Sequence, residues 1–127
     1  WTLCHGDYRL DNLMFRSDGR TTVLDWQALA WGRPGWEVAY FITTALEPHH
    51  RDEEQTMLSR YHETLVTAGV SNYSFDDLLE DVTVSKAILA HRMVAGDDLL
   101  DTEIEQADSD FIEVIVKRVV GWVDLNS

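Results

Sequence analysis

The sequence predicts an α+β fold that is mostly helical. Two patterns carry this prediction. Near the start, Leu13–Met14–Phe15 and Thr22–Val23–Leu24 flank the turn-forming stretch Ser17–Asp18–Gly19–Arg20, which reads as a β-hairpin of roughly 13–16 against 21–25. After it, apolar residues recur at helical spacing to the end of the chain. No internal repeat, low-complexity tract or interdomain linker divides these segments, so they form one unit.

Element by element, Trp1 to His5 is a short extended lead-in and GDYRLDN (6–12) a polar, turn-prone loop. Gly32, Pro34 and Gly35 make 26–35 a loop after the hairpin. Trp36 to Leu46 is apolar nearly all round, which predicts a buried helix stopped by Pro48. Met57, Leu58, Tyr61, Leu65 and Ala68 give a second helix over about 52–68, closed by Gly69. Ser74, three residues before Asp77, caps a third, whose stripe is Phe75, Leu78, Leu79, Val82, Leu89 and Met93 with Gly96 as its stop. Phe111, Ile112, Ile115, Val116, Val119, Val120 and Val123 predict a fourth. The lysine- and arginine-free stretch 97–110 reads as a solvated acidic connector, or as an acidic wall facing a cationic substrate.

With 127 residues and a hydrophobic fraction of 45%, the chain has material for a real core, and wholesale disorder is excluded. Lys+Arg total 10 against Asp+Glu 23, a net charge of −13. Such a surface repels phosphate backbones and anionic lipid, so neither nucleic acid nor membrane is an expected partner, while Mg²⁺ and cationic ligands are tolerated. One cysteine, Cys4, excludes an internal disulfide and a cysteine-based zinc site. No apolar run approaches the ~18 residues of a transmembrane helix, and no signal-peptide pattern is present, so a cytoplasmic setting is expected.

Asp7 and Asn12 bracket the polar loop, and Asp25 ends the hairpin that follows, which can return it beside that loop. Two carboxylates and an amide oxygen at one spot make a hard-oxygen site suited to Mg²⁺. Phosphoryl transfer uses such parts: a metal to neutralise phosphate charge, and a separate carboxylate for the acceptor's proton. Asp and Asn are also common turn formers, and Asp25 also reads as a strand-end cap. It is the ordered set that points to chemistry.

His5-Gly6-Asp7-Tyr8-Arg9-Leu10-Asp11-Asn12 resembles the catalytic loop of aminoglycoside phosphotransferases and related small-molecule kinases, His-Gly-Asp-x-x-x-x-Asn. Val23-Leu24-Asp25-Trp26-Gln27 resembles that family's metal-binding strand end, and Gly32-Arg33-Pro34-Gly35-Trp36-Glu37-Val38-Ala39 its Gly-x-Pro-x-x-Asp-Leu-Ala segment. The resemblance implies a partial C-terminal lobe of protein-kinase-like fold over 1–127. Its catalytic loop would be 5–12, its hairpin and metal motif 13–27 and its helical subdomain 35–125, with the N-terminal lobe absent. It implies Asp7 as the catalytic carboxylate, Asn12 and Asp25 as Mg²⁺ ligands, and His5 and Glu37 as structural supports of the loop. Glu37 is one methylene longer than the family's Asp. ATP would be the co-substrate and a small-molecule hydroxyl the acceptor.

Neither a Gly-rich phosphate cover nor a lysine ahead of the loop occurs, since Lys86 and Lys117 both follow it. The 127 residues alone are therefore expected to transfer phosphate poorly and to expose an apolar face, covered by a missing N-terminal lobe or by self-association. The alternatives are a degenerate kinase-like binding module and a metal-dependent phosphohydrolase. The acceptor-binding residues are unknown from sequence, although acidity favours a cationic acceptor. Other polar residues read as structural: Arg9 as solvated, Asp11 as a surface or turn residue, Cys4 as buried and inert, His49 and His50 as non-ligands ahead of an acidic first turn, His62 and His91 as packed or half-exposed. Trp36, Tyr40 and Phe41 read as core, and Trp26 as packing.

Overall fold

A computed structural model describes residues 1–95 of the chain. Four three-residue strands come first: β1 (Thr2–Cys4), β2 (Leu13–Phe15), β3 (Thr21–Val23) and β4 (Ala30–Gly32). Three helices follow, α1 (Pro34–Ala45), α2 (Asp52–Thr67) and α3 (Phe75–Ala95). The architecture is α+β and mostly helical. The expected Gly96 stop, the acidic stretch 97–110 and the fourth helix around 111–123 lie outside the described residues.

The predicted hairpin forms as β2 antiparallel to β3, with Leu13 opposite Val23 and Phe15 opposite Thr21. Its turn closes through the Gly19 N–H on the Arg16 carbonyl at 3.0 Å. Gly19 takes φ +80°, a backbone state that costs glycine no Cβ clash. The stretch after the hairpin is not all loop. Residues Trp26–Ala28 make a 3₁₀ turn, and β4 then pairs antiparallel with β1, Leu3 opposite Trp31. On this strand pair Cys4 is buried, while Leu3 and Trp31 are 56% and 70% exposed. One side of the pair therefore faces the helices and the other carries an open apolar surface.

Helix α1 begins at Pro34 rather than Trp36, because proline's fixed φ and missing N–H suit the first helical position. It ends where the Leu46 N–H bonds the Ile42 carbonyl, just ahead of Pro48. The start of α3 is a reciprocal cap. The Ser74 N–H and O–H both donate to Asp77 Oδ2 (2.7 and 2.6 Å), and the Asp77 N–H donates to Ser74 Oγ at 3.1 Å. The principal helix contact is α1 on α3, and the buried cluster is Ala39, Ile42, Leu58, Leu78, Val82 and Leu89. Lys86 of α3 pairs with Glu54 of α2, and burial lowers its ammonium pKa.

Two features pin α1 to α3. Asp81, 5% exposed, accepts from Arg33 Nη1 and from the Tyr73 O–H, each at 2.8 Å, so its buried charge is paired and both oxygens are hydrogen-bonded. Gly35 is buried against the same residue, and a Cβ there would lie 2.4 Å from Asp81 Cβ and 2.9 Å from its backbone carbon. Helix propensity favours alanine over glycine by up to about 1 kcal/mol. Gly35→Ala is nevertheless expected to destabilise by about 2 kcal/mol, since backbone must shift to admit the methyl. Urea unfolding checks this, and an unchanged or raised midpoint would contradict the close crossing.

Candidate active site

The polar loop 5–12 is held from three sides. From below, the Glu37 carboxylate on the first turn of α1 accepts two consecutive backbone N–H groups, His5 at 2.8 Å (Oε2) and Gly6 at 3.0 Å (Oε1). For both to point at one carboxylate the chain must turn sharply, and Gly6 does so at φ +86°. A Cβ at Gly6 would also sit 2.3 Å from the Ala28 carbonyl oxygen. Only glycine fits both demands.

From the hairpin side, His5 is 3% exposed and its Nε2 lies 2.7 Å from the Leu24 carbonyl oxygen. A carbonyl only accepts, so Nε2 carries the proton and Nδ1 is left as the acceptor. That nitrogen takes the Asp7 N–H at 3.3 Å. The Trp26 ring packs edge-on against His5 with centroids 4.8 Å apart, although Trp26 is 51% exposed. The Leu24 N–H in turn donates to the Asn12 carbonyl at 2.8 Å. One residue, Leu24, thus ties both ends of the loop to the strand that leads into Asp25.

Within the loop, the buried Asn12 amide nitrogen donates to the Asp7 carbonyl and to Asp7 Oδ2, both at 2.9 Å. Two acceptors fix the orientation of the amide and leave Asn12 Oδ1 as the unprotonated end. Asp7 Oδ2 also lies 3.4 Å from Arg9 Nε, and Asp7 Oδ1 accepts from the Tyr40 O–H at 2.8 Å. Asp7, Asn12, His5 and Glu37 are therefore brought together by hydrogen bonds. Asp25 joins them through the backbone of Leu24. Its exposed carboxylate takes a 3.5 Å hydrogen bond from Gln27 Nε2, and its φ of 56° is the left-handed region that few non-glycine residues adopt. Among the described residues it is the one non-glycine residue at positive φ.

Two side chains depart from the sequence reading. Arg9, expected to be solvated, is half-buried because it folds back on the Asp7 carboxylate two residues away. Tyr40, expected to be core, packs its ring but turns its hydroxyl to Asp7. Burial raises its phenol pKa well above the ordinary range, and the hydrogen bond and charge of Asp7 add to this. Helical spacing held a signal for Tyr40: it stands three positions after Glu37, on the same face of α1. Beside Asp7 opens a cleft of about 250 Å³ lined by Gly6, Gln27, Ala28, Tyr40, Leu89 and Arg92.

The remaining candidates sit apart from this centre. Cys4 is buried with Sγ 3.6 Å from the Arg33 carbonyl oxygen, and burial raises its thiol pKa, as suits an inert packing residue. His49 and His50 are exposed, with His50 against Glu53 at 3.2 Å. His62 packs on the Phe75 ring and meets the Tyr73 carbonyl. Asp11 is exposed. No group of three or more His, Cys, Asp or Glu side chains that could hold a metal is found among the described residues. A set of one carboxylate, Asp25, with the Asn12 amide oxygen still fits Mg²⁺, which keeps several waters and takes further oxygens from substrate phosphates. No helix among the described residues is long and apolar enough to cross a membrane.

The double acceptor at Glu37 generates a test of the brace. Glu37→Gln keeps one oxygen for the loop but turns an NH₂ toward the other backbone N–H. Its expected cost is about 2 kcal/mol in urea unfolding, the scale of a hydrogen bond to a charged group together with an orphaned donor. An unaltered midpoint would show that the loop does not depend on this carboxylate.

A search of the curated proteins and a search of the solved structures each gave no match. A comparison with protein-family models matched residues 1–70, more than half of the chain and the whole of the loop, hairpin and α1, to one family. The match names a kinase-like class and does not name the aminoglycoside phosphotransferases. On that match, the chain belongs to the ecdysteroid kinase-like family.

Proposed function

We propose that the chain forms the catalytic part of an ATP- and Mg²⁺-dependent phosphotransferase that phosphorylates a hydroxyl of a small molecule. The observation that carries this reading is the Asp7–Asn12 pair. One carboxylate and one oriented amide share a loop braced by Glu37, with Asp25 two residues beyond the strand that closes it. The order of these residues also resembles aminoglycoside phosphotransferases, whose protein-kinase-like C-terminal lobe is the fold we propose for this chain.

Asp7 is the residue that accepts and orients the acceptor hydroxyl proton. Asn12 Oδ1 and the Asp25 carboxylate would hold the ion, which when bound neutralises charge on the ATP β- and γ-phosphates. His5 and Glu37 keep the loop in place, and the Asp7 peptide is oriented through the imidazole. The cleft lined by Tyr40, Gln27 and Arg92 offers the acceptor a way to Asp7. The family's description makes an ecdysteroid alcohol the first acceptor to try. ATP as donor accords with a cytoplasmic setting. The exposed Leu3–Trp31 surface supports a covering partner, either a nucleotide-binding lobe or a second copy.

The roles separate in the full-length protein that carries this chain. Asp7→Asn is expected to cut turnover by roughly a hundredfold or more, the usual worth of a positioned proton acceptor. Calorimetric binding of Mg²⁺ with a non-hydrolysable ATP analogue should change less than about twofold. Asp25→Asn should weaken that binding by about tenfold or more. Full activity in Asp7→Asn would overturn the assignment of the proton acceptor.

A further inference from the structure

The roles above leave Tyr40 unassigned, yet its contact with Asp7 is among the shortest in the site. Tyr40 stands on α1, half-buried, and its O–H donates to Asp7 Oδ1 at 2.8 Å. Asp7 Oδ2 is taken by the Asn12 amide at 2.9 Å, with Arg9 Nε 3.4 Å away. Each carboxylate oxygen is therefore held by a different element, one by the helix and one by the loop.

A carboxylate anchored at one oxygen still turns about its Cβ–Cγ bond, because that torsion is broad. A second donor on the other oxygen removes the freedom. Oδ1 keeps a further lone pair after accepting from Tyr40, so it can still receive an incoming hydroxyl. Tyr40 also lines the cleft through which that hydroxyl reaches Asp7. Its hydroxyl stays protonated at neutral pH, since burial pushes its pKa up.

We propose that Tyr40 is a positioning residue. Its hydrogen bond fixes the plane of the Asp7 carboxylate so that Oδ1 presents its remaining lone pair to the acceptor hydroxyl. The inference rests on Asp7 being the proton acceptor of the proposed phosphotransferase. Other arrangements of the same contact behave differently. A phenol that blocked the acceptor's place would raise KM in the natural protein, and a phenol that only packed would affect stability alone.

The test uses the full-length protein and its Tyr40→Phe and Asp7→Asn variants, with radiolabelled ATP, Mg²⁺ and an ecdysteroid as the acceptor probe. Tyr40→Phe keeps the ring and removes only the donor. The expected result is a kcat lower by about tenfold with KM for ATP and acceptor within about twofold, because an effect exerted through Asp7 geometry falls on the transition state. A kcat equal to wild type, or an acceptor KM lowered severalfold, would overturn the proposal, and would leave Asp7 as the proton acceptor if Asp7→Asn is inactive. A second measurement does not depend on turnover. Crystals of Tyr40→Phe should show the Asp7 carboxylate rotated or split between two orientations. A single orientation identical to wild type would overturn the proposal. If the wild type fails to phosphorylate the probe, the ecdysteroid assignment fails, and the crystallographic comparison decides the hold of Tyr40 on Asp7 separately.

Discussion

Two backbone N–H groups on one side-chain carboxylate organise this molecule. Glu37 accepts from His5 and Gly6, and that pair of hydrogen bonds joins the first turn of α1 to the loop that carries Asp7. Consecutive N–H groups converge only if the chain curls, which Gly6 permits at φ +86°, and the curl is closed from above by the Ala28 carbonyl. Much else follows from that fixture. His5, held by its own N–H, reaches Leu24. Leu24 reaches Asn12, Asn12 reaches Asp7, and Tyr40 comes up from the helix that carries Glu37. The helix itself is held at Gly35 and Arg33 against Asp81 of α3. The chain of contacts runs without interruption from the helical core to the Asp7 carboxylate, so the stability of the core and the geometry of the site are one problem.

Features encoded within a few neighbouring residues were legible in the sequence. The hairpin follows from two short apolar runs flanking the turn at Gly19, the α3 cap from Ser74 and Asp77, and the buried α1 from an apolar run between prolines. The pairing of β1 with β4 was not legible. Each strand has three residues, and partners such as Leu3 and Trp31 are far apart in sequence, so no local pattern announces them. The approach of Asp7 to Asn12 was legible from their spacing in one loop, and the place of Glu37 beneath that loop from the resemblance of residues 32–39. It was not legible where one side chain has two characters. Tyr40 looks apolar by its ring and acts through its hydroxyl, and Arg9 looks solvated until the Asp7 carboxylate is placed beside it. The left-handed backbone at Asp25 has no sequence signal either, beyond the tolerance of aspartate for that region.

The charge of the whole chain is a poor guide to the field at its site. The net charge is −13, which favours a cationic acceptor if acidity is spread evenly. It is not. Arg9 lies against Asp7, and Arg92 lines the cleft beside it. The matched region ends at residue 70, so it contains the loop, hairpin and α1 but not the α3 residues Leu89 and Arg92 that complete the cleft.

We propose that Asn12 Oδ1 and the Asp25 carboxylate share one divalent ion beside Asp7. Anomalous scattering from Mn²⁺ in crystals of the full-length protein with a non-hydrolysable ATP analogue tests it most directly. The expected peak lies at metal–oxygen bonding distance from both residues. A nucleotide-bound crystal with its manganese on other side chains, and Asn12 and Asp25 uncoordinated, would contradict it.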